Sequence, residues 1–172
     1  DVIYQVGALK GFLSLYGMPL QHVKLHGALY NDLVNKADIA LQIVRTVGKT
    51  FDNPIFLTLA TTKATALKKK GKEEGLRIAL EAFPDRMYTD AGELLSREQA
   101  GAVLKDPDLI AQRAVKMIKE RGIESIHGRW LDLDIDTLCI HGDNPESIEA
   151  AKKIVAACAK EKFQIRPLGE FI

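Results

Sequence analysis

The 172-residue chain is 47% hydrophobic and 27% charged, with 24 Lys and Arg against 23 Asp and Glu, a formal net charge of +1. That balance fits one globular domain over residues 1–172 with an ample apolar core, and leaves no electrostatic surplus for a nucleic-acid backbone or an anionic membrane. No apolar run approaches the roughly 18 residues of a bilayer span and nothing at the start resembles a signal peptide; Cys139 and Cys158 are too few for a disulfide framework or a cysteine-built zinc site, and their apolar neighbours read as those of reduced core thiols, which favours the cytoplasm.

Val2, Val6, Leu9, Leu13 and Tyr16 recur at helical spacing and Gly17 can end a helix, which predicts a helix over 2–16. A short β-prone run at 22–26 stops at Gly27. From Asn31 onward, Leu33, Ala37, Ala40, Leu41, Val44 and Val47 mark one amphipathic helix closing near Gly48. The unit then repeats: an apolar strand over 54–59, and a helix capped by the Thr61-Thr62 pair and ending in Lys68-Lys69-Lys70-Gly71. Residues 77–83 read as a third strand, 84–107 as a long loop of the kind that often carries function, and 108–121 as a helix stopped by Gly122. Segment 125–136 is ambiguous. A fourth strand over 137–140, a helix over 146–162 and a last strand over 163–167 complete the pattern. Apolar strands alternating with helices predict an α/β fold with a parallel sheet, open or rolled into a barrel, whose ligands sit at the carboxyl ends of the strands.

Two strands end alike, each placing a histidine followed by glycine at its carboxyl end: His26-Gly27 and His141-Gly142. An imidazole there can serve as general acid or base or bind a metal; a hydrogen-bonded structural histidine is the bland alternative for either one alone, and the pairing favours function. After His141 come Asp143, Asn144 and Pro145, where Asn144 can cap a helix whose amino end favours an anion. Asp143 is either a turn residue or a carboxylate base or metal ligand. The third strand delivers Glu81, Asp85 and Arg86 together into the long loop. An Arg86 ion pair with Glu81 or Asp85 stands equal to a working pair, with one carboxylate as acid or base and Arg86 clamping a substrate carboxylate. Walker, Gly-x-Ser-x-Gly, His-Glu-x-x-His and dinucleotide patterns are all missing from the sequence.

Four stretches in series resemble the LamB/YcsF family: residues 4–9 (Tyr4-Gln5-Val6-Gly7-Ala8-Leu9), 23–31 (Val23 to Asn31, around Lys24 and His26), 81–88 with Arg97 and Gly101-Ala102, and 141–145 (His141-Gly142-Asp143-Asn144-Pro145). The resemblance covers essentially the whole chain, with Leu25 where the family motif usually has proline, and implies that these residues are the C-terminal two-thirds of a larger protein. It implies a (β/α) barrel-like fold related to the sugar deacetylases, incomplete here because an N-terminal region with an Asp-Leu-Asn-type strand and two further histidine-bearing strand ends is missing. The activity it implies is ATP-dependent hydrolysis of 5-oxo-L-proline to L-glutamate, ADP and phosphate, performed with two other subunits. His26, Glu81, Asp85, His141 and Asp143 are then expected to do the proton chemistry. Lys24, Arg86, Asn31 and Asn144 are expected to bind substrate, ATP is the expected cofactor, and a divalent ion such as Mg2+ is left open, as is a homo-oligomer. Two alternatives remain beside it: a metal-dependent amide or sugar deacetylase acting without ATP, suggested by the paired strand-end histidines, and a non-catalytic binding subunit of a larger assembly.

Overall fold

A computed structural model describes residues 1–142 and 145–172, which fall into two compact units. The first unit comprises 1–59, 63–80 and 168–172, and the second 60–62 and 81–167.

In the first unit, α1 (Val2–Leu15) precedes β1 (His22–Lys24), α2 (Gly27–Val34), α3 (Ala37–Thr50), β2 (Ile55–Leu59) and α4 (Thr62–Glu73). Strands β1 and β2 pair in parallel, Val23 opposite Phe56, and Phe56 N–H donates to Arg77 O at the start of β3 (Ile78–Ala82). The single helix expected from Asn31 is two helices: α2 starts at Gly27, and the chain breaks at Asn35 and Lys36 before α3 buries Ala40, Leu41, Val44 and Val47 on one face. The periodicity is continuous in the sequence because both helices bury an apolar stripe. Gly27 has φ +62°, a left-handed backbone that a side chain would strain. Gly142 has no positive φ and no crowding neighbour among the described residues. Helix α1 forms as expected but buries none of its residues among the described ones.

In the second unit the end of β3 pairs in parallel with β6 (Thr137–Leu138), Glu81 opposite Thr137 and Ala82 opposite Leu138. Parallel pairing between strands alternating with helices is the α/β class the sequence predicts. Helix α5 (Pro107–Glu120) is capped by Asp106, whose carboxylate accepts Asp108 N–H at 2.9 Å, and Pro107 occupies the first turn. Its buried Ile110, Ala111, Ala114 and Met117 lie at i, i+1, i+4 and i+7. Ala150, Ile154 and Cys158 of α6 (Pro145–Lys160) form one core cluster with Ile110, Ala111 and Ala114, and burial pushes the Cys158 thiol up. The alanines let the two helix backbones approach closely. Among the described residues no helix is long and apolar enough to cross a membrane.

Two expectations fail locally. Helix α5 ends not at Gly122 but at Arg121, which takes the left-handed cap itself at φ 50°. Gly122 instead opens β4 (Gly122–Glu124), antiparallel to β5 (Trp130–Asp132) across the segment that periodicity left ambiguous. Residues 163–167 form no strand: Phe163 N–H is spent on Cys158 O and Lys162 N–H on Ala159 O, with Lys162 at φ 62°, the pattern that closes a helix, and Pro167 brings no N–H to a ladder.

Gly122 is required sterically. A Cβ there would lie 2.8 Å from the Trp130 ring and closer still to Leu131 O, a backbone atom that cannot swing away. Gly122→Ala is expected to lower stability by about 2–3 kcal/mol, since overpacking displaces backbone rather than a side-chain tip, and urea unfolding measures it. A change within experimental error would show that the hairpin accommodates the methyl.

Candidate functional site

The long loop after β3 is tightly stitched, and the site is built on it. Leu104 N–H donates to Asp85 O at 2.8 Å, Met87 N–H to Ala102 O at 2.9 Å and Leu95 N–H to Met87 O at 3.0 Å, so the chain doubles back on itself twice. Tyr88 is fully buried beneath it. Its hydroxyl accepts Phe83 N–H at 2.7 Å, and burial pushes its ionisation well above the usual phenol range, so it stays a neutral anchor. Arg113 on α5 donates to Pro84 O at 3.1 Å and Arg86 O at 3.2 Å, pinning the first loop residues to the helix.

Asp85 and His141, predicted at the ends of β3 and β6, meet. His141 Nδ1 lies 2.8 Å from Asp85 Oδ2, and on its other side His141 Nε2 lies 3.1 Å from Arg97 Nη2. A guanidinium has only donors, so Nε2 must accept from Arg97, which makes Nδ1 the protonated nitrogen, donating to Asp85. The imidazole is thereby fixed as one neutral tautomer. Phe83 stacks on it at 5.5 Å between centroids and 24° between planes, which sets the ring's tilt. A carboxylate that orients and supports an imidazole whose far nitrogen carries a lone pair is the arrangement of a general base.

Asp85 is 9% exposed and its second oxygen, Oδ1, has no hydrogen-bond partner among the described residues. A buried carboxylate oxygen in that condition costs free energy unless a ligand or water serves it. Asp85 also lines a cavity of about 200 Å³ with apolar walls from Pro84, Leu104 and Ile140 and polar groups from Lys105 and Ser147. Arg86 is 6% exposed; its Nη2 donates to Leu95 O at 2.5 Å, while its Nε has no partner among the described residues. Burial lowers its pKa, repulsion from Arg97 adds to that, and Asp85 partly offsets both. Arg86 therefore works from within the loop, and the guanidinium that reaches an exposed position beside the imidazole belongs to Arg97.

Glu81 is buried in β3 and engaged. Lys24, His26 and Asn31 belong to the first unit, where Lys24 Nζ sits 5.6 Å over the Tyr30 ring and His26 and Asn31 are exposed. Asp143 and Asn144 lie outside the described residues. Arg97 occurs in one of the family-like stretches, but a lone arginine in the turn after Ser96 carries no spacing signal that would tie it to a histidine 44 residues on. A second group that sequence reading missed is Asp90, whose carboxylate accepts Ser125 Oγ–H at 2.5 Å and lies 3.0 Å from His127 Nδ1. These two contacts, Ser125 first, hold the Asp90 carboxyl below its ordinary pKa. Because the carboxylate sits between hydroxyl and imidazole, the histidine cannot activate the serine, and the trio is a clasp between the loop and the turn after β4.

The LamB/YcsF family model matches residues 1–172. The chain is 39% identical over 171 residues to the 5-oxoprolinase A subunit of Pyrococcus furiosus, and 44% identical over 170 residues to that of Campylobacter jejuni serotype O:23/36. Each match covers 99% of this chain and 66% of the relative, so the chain spans just under two thirds of the length of these relatives. A crystal structure titled lactam utilization protein, from Thermus thermophilus, superposes with a TM-score of 0.81 at 36% identity, over 96% of this chain and 65% of that one.

Proposed function

We propose that this chain, which belongs to the LamB/YcsF family, is part of the A subunit of a multi-subunit 5-oxoprolinase and supplies the proton-transfer group for opening the lactam of 5-oxoproline. The observation that carries this reading is the oriented imidazole: His141 held by Asp85 on one nitrogen, with a lone pair on the other. A lactam is a resonance-stabilised amide, so water attacks its carbonyl carbon only when relieved of a proton and when the ring nitrogen receives one. His141 Nε2 takes the proton as the water oxygen bonds to the carbonyl carbon, and returns it to the ring nitrogen as the C–N bond breaks, giving the amino and carboxylate groups of glutamate. Asp85 keeps Nδ1–H in place throughout and stabilises the imidazolium between the two transfers.

The cavity beside Asp85 suits a small ring. At about 200 Å³ it is below the roughly 300–1,000 Å³ of pockets for drug-sized ligands, so the ATP expected from the family resemblance does not fit it, and no step is assigned to the nucleotide. Among the described residues no three His, Cys, Asp or Glu side chains converge as metal ligands, and the proton transfer above uses only His141 and Asp85. The full-length protein, mixed with its partner subunits, 5-oxoproline and ATP, is expected to release glutamate. No glutamate from an intact assembly would overturn the reading.

A further inference from the structure

We propose that Arg97 is a substrate-operated cover on the base: an anionic carboxylate draws its guanidinium off His141 Nε2, and only then is the lone pair free to accept a proton. The inference rests on the lactam reading above, and adds to it a positioning residue and a requirement for negative charge on the substrate.

The geometry sets the two competing acceptors. Arg97 Nη2 donates to His141 Nε2 at 3.1 Å, so in this arrangement the lone pair that would deprotonate water is occupied. A neutral imidazole nitrogen is one weak acceptor, whereas a carboxylate accepts two parallel N–H bonds from a guanidinium with opposite charge, a charge-assisted pair roughly twice as strong per bond. A carboxylate arriving beside the ring therefore wins Arg97. The exchange costs His141 little, because its other nitrogen stays bonded to Asp85 and its ring stays stacked on Phe83.

Arg97 is exposed on a turn closed by Gln99 N–H to Ser96 O at 3.0 Å. Arg86, by contrast, is buried with Nη2 on Leu95 O and cannot follow a ligand. Repulsion between the two guanidiniums adds to the positive potential that an anion meets there. The device would leave the base unavailable to bulk water and neutral amides, and available once a carboxylate-bearing ring is seated.

The test reads the imidazole itself. Full-length protein labelled with 15N-histidine is titrated with three probes: 5-oxoproline, 2-pyrrolidinone, which is the same lactam without the carboxylate, and cyclopentanecarboxylate, which is a five-membered ring with the carboxylate and no lactam. The His141 signals are assigned by their loss in His141→Gln. We expect both carboxylates to move the Nε2 resonance saturably while Nδ1 stays protonated, 2-pyrrolidinone to leave it unmoved, and Arg97→Gln to abolish the response. If 5-oxoproline binds without moving Nε2, if no carboxylate moves it, or if Arg97→Gln responds like the parent, the cover does not exist. Movement with cyclopentanecarboxylate while 5-oxoproline does not bind would support the cover and remove the lactam reading instead.

Discussion

Asp85→Asn is expected to lower the rate of glutamate release by the reconstituted assembly about 10²–10⁴-fold, the usual worth of a positioned acid or base, with little change in KM. The amide has two ways to sit. With its oxygen toward His141 it still accepts Nδ1–H, but the negative charge that stabilises the imidazolium is gone. With its NH2 toward His141 the ring must flip to the Nε2–H tautomer, which then confronts the donor-only Arg97 guanidinium. The first outcome weakens the base and the second removes it. Because Asp85 acts only through His141, the double variant Asp85→Asn, His141→Ala should be no slower than His141→Ala alone. Additive losses in that cycle would mean that Asp85 serves the reaction through its free Oδ1 and the adjoining cavity rather than through the imidazole. A thermal melt of Asp85→Asn beside the parent separates lost chemistry from lost fold.

The two residues at the centre of this experiment were legible in the sequence for a definite reason. Parallel strands bury both faces, so β3 and its neighbours read as apolar runs, and polar groups at their carboxyl ends stand out against them. Asp85 and His141 were found that way. Arg97 was not, because it sits on a turn whose sequence has no period and reaches His141 only through the folded loop. The β4–β5 hairpin was missed for a related reason: strands of three residues each are too short to show alternation, and Gly122, which fits against Trp130, looks in sequence like a helix stop. The division between α2 and α3 fell at Asn35 and Lys36, where no proline or glycine marks it. What periodicity supplies is elements that bury a stripe; contacts made by loops depend on the tertiary arrangement that those elements create.

Arg86 and Arg97 are both arginines of the same loop, and they should fail in opposite ways. Arg86→Ala removes a guanidinium that is 6% exposed, leaves Leu95 O without its side-chain donor, and takes away the positive charge that faces Asp85. Losing a charged hydrogen bond in the interior together with its packing should cost about 3 kcal/mol. In a chain of this size that corresponds to a fall in Tm of roughly 6–12 °C. Arg86→Lys should recover only part of it, since an ammonium cannot reproduce the planar fork. Arg97→Ala removes an exposed side chain whose described side-chain contact is His141, so its Tm should stay close to the parent's while glutamate release becomes dependent on much higher 5-oxoproline. Melting curves and KM for the two variants decide between a structural and a substrate-facing guanidinium. A stable Arg86→Ala protein with a raised KM would return the carboxylate-binding role to Arg86, because the loop would then be shown to hold its shape without that charge.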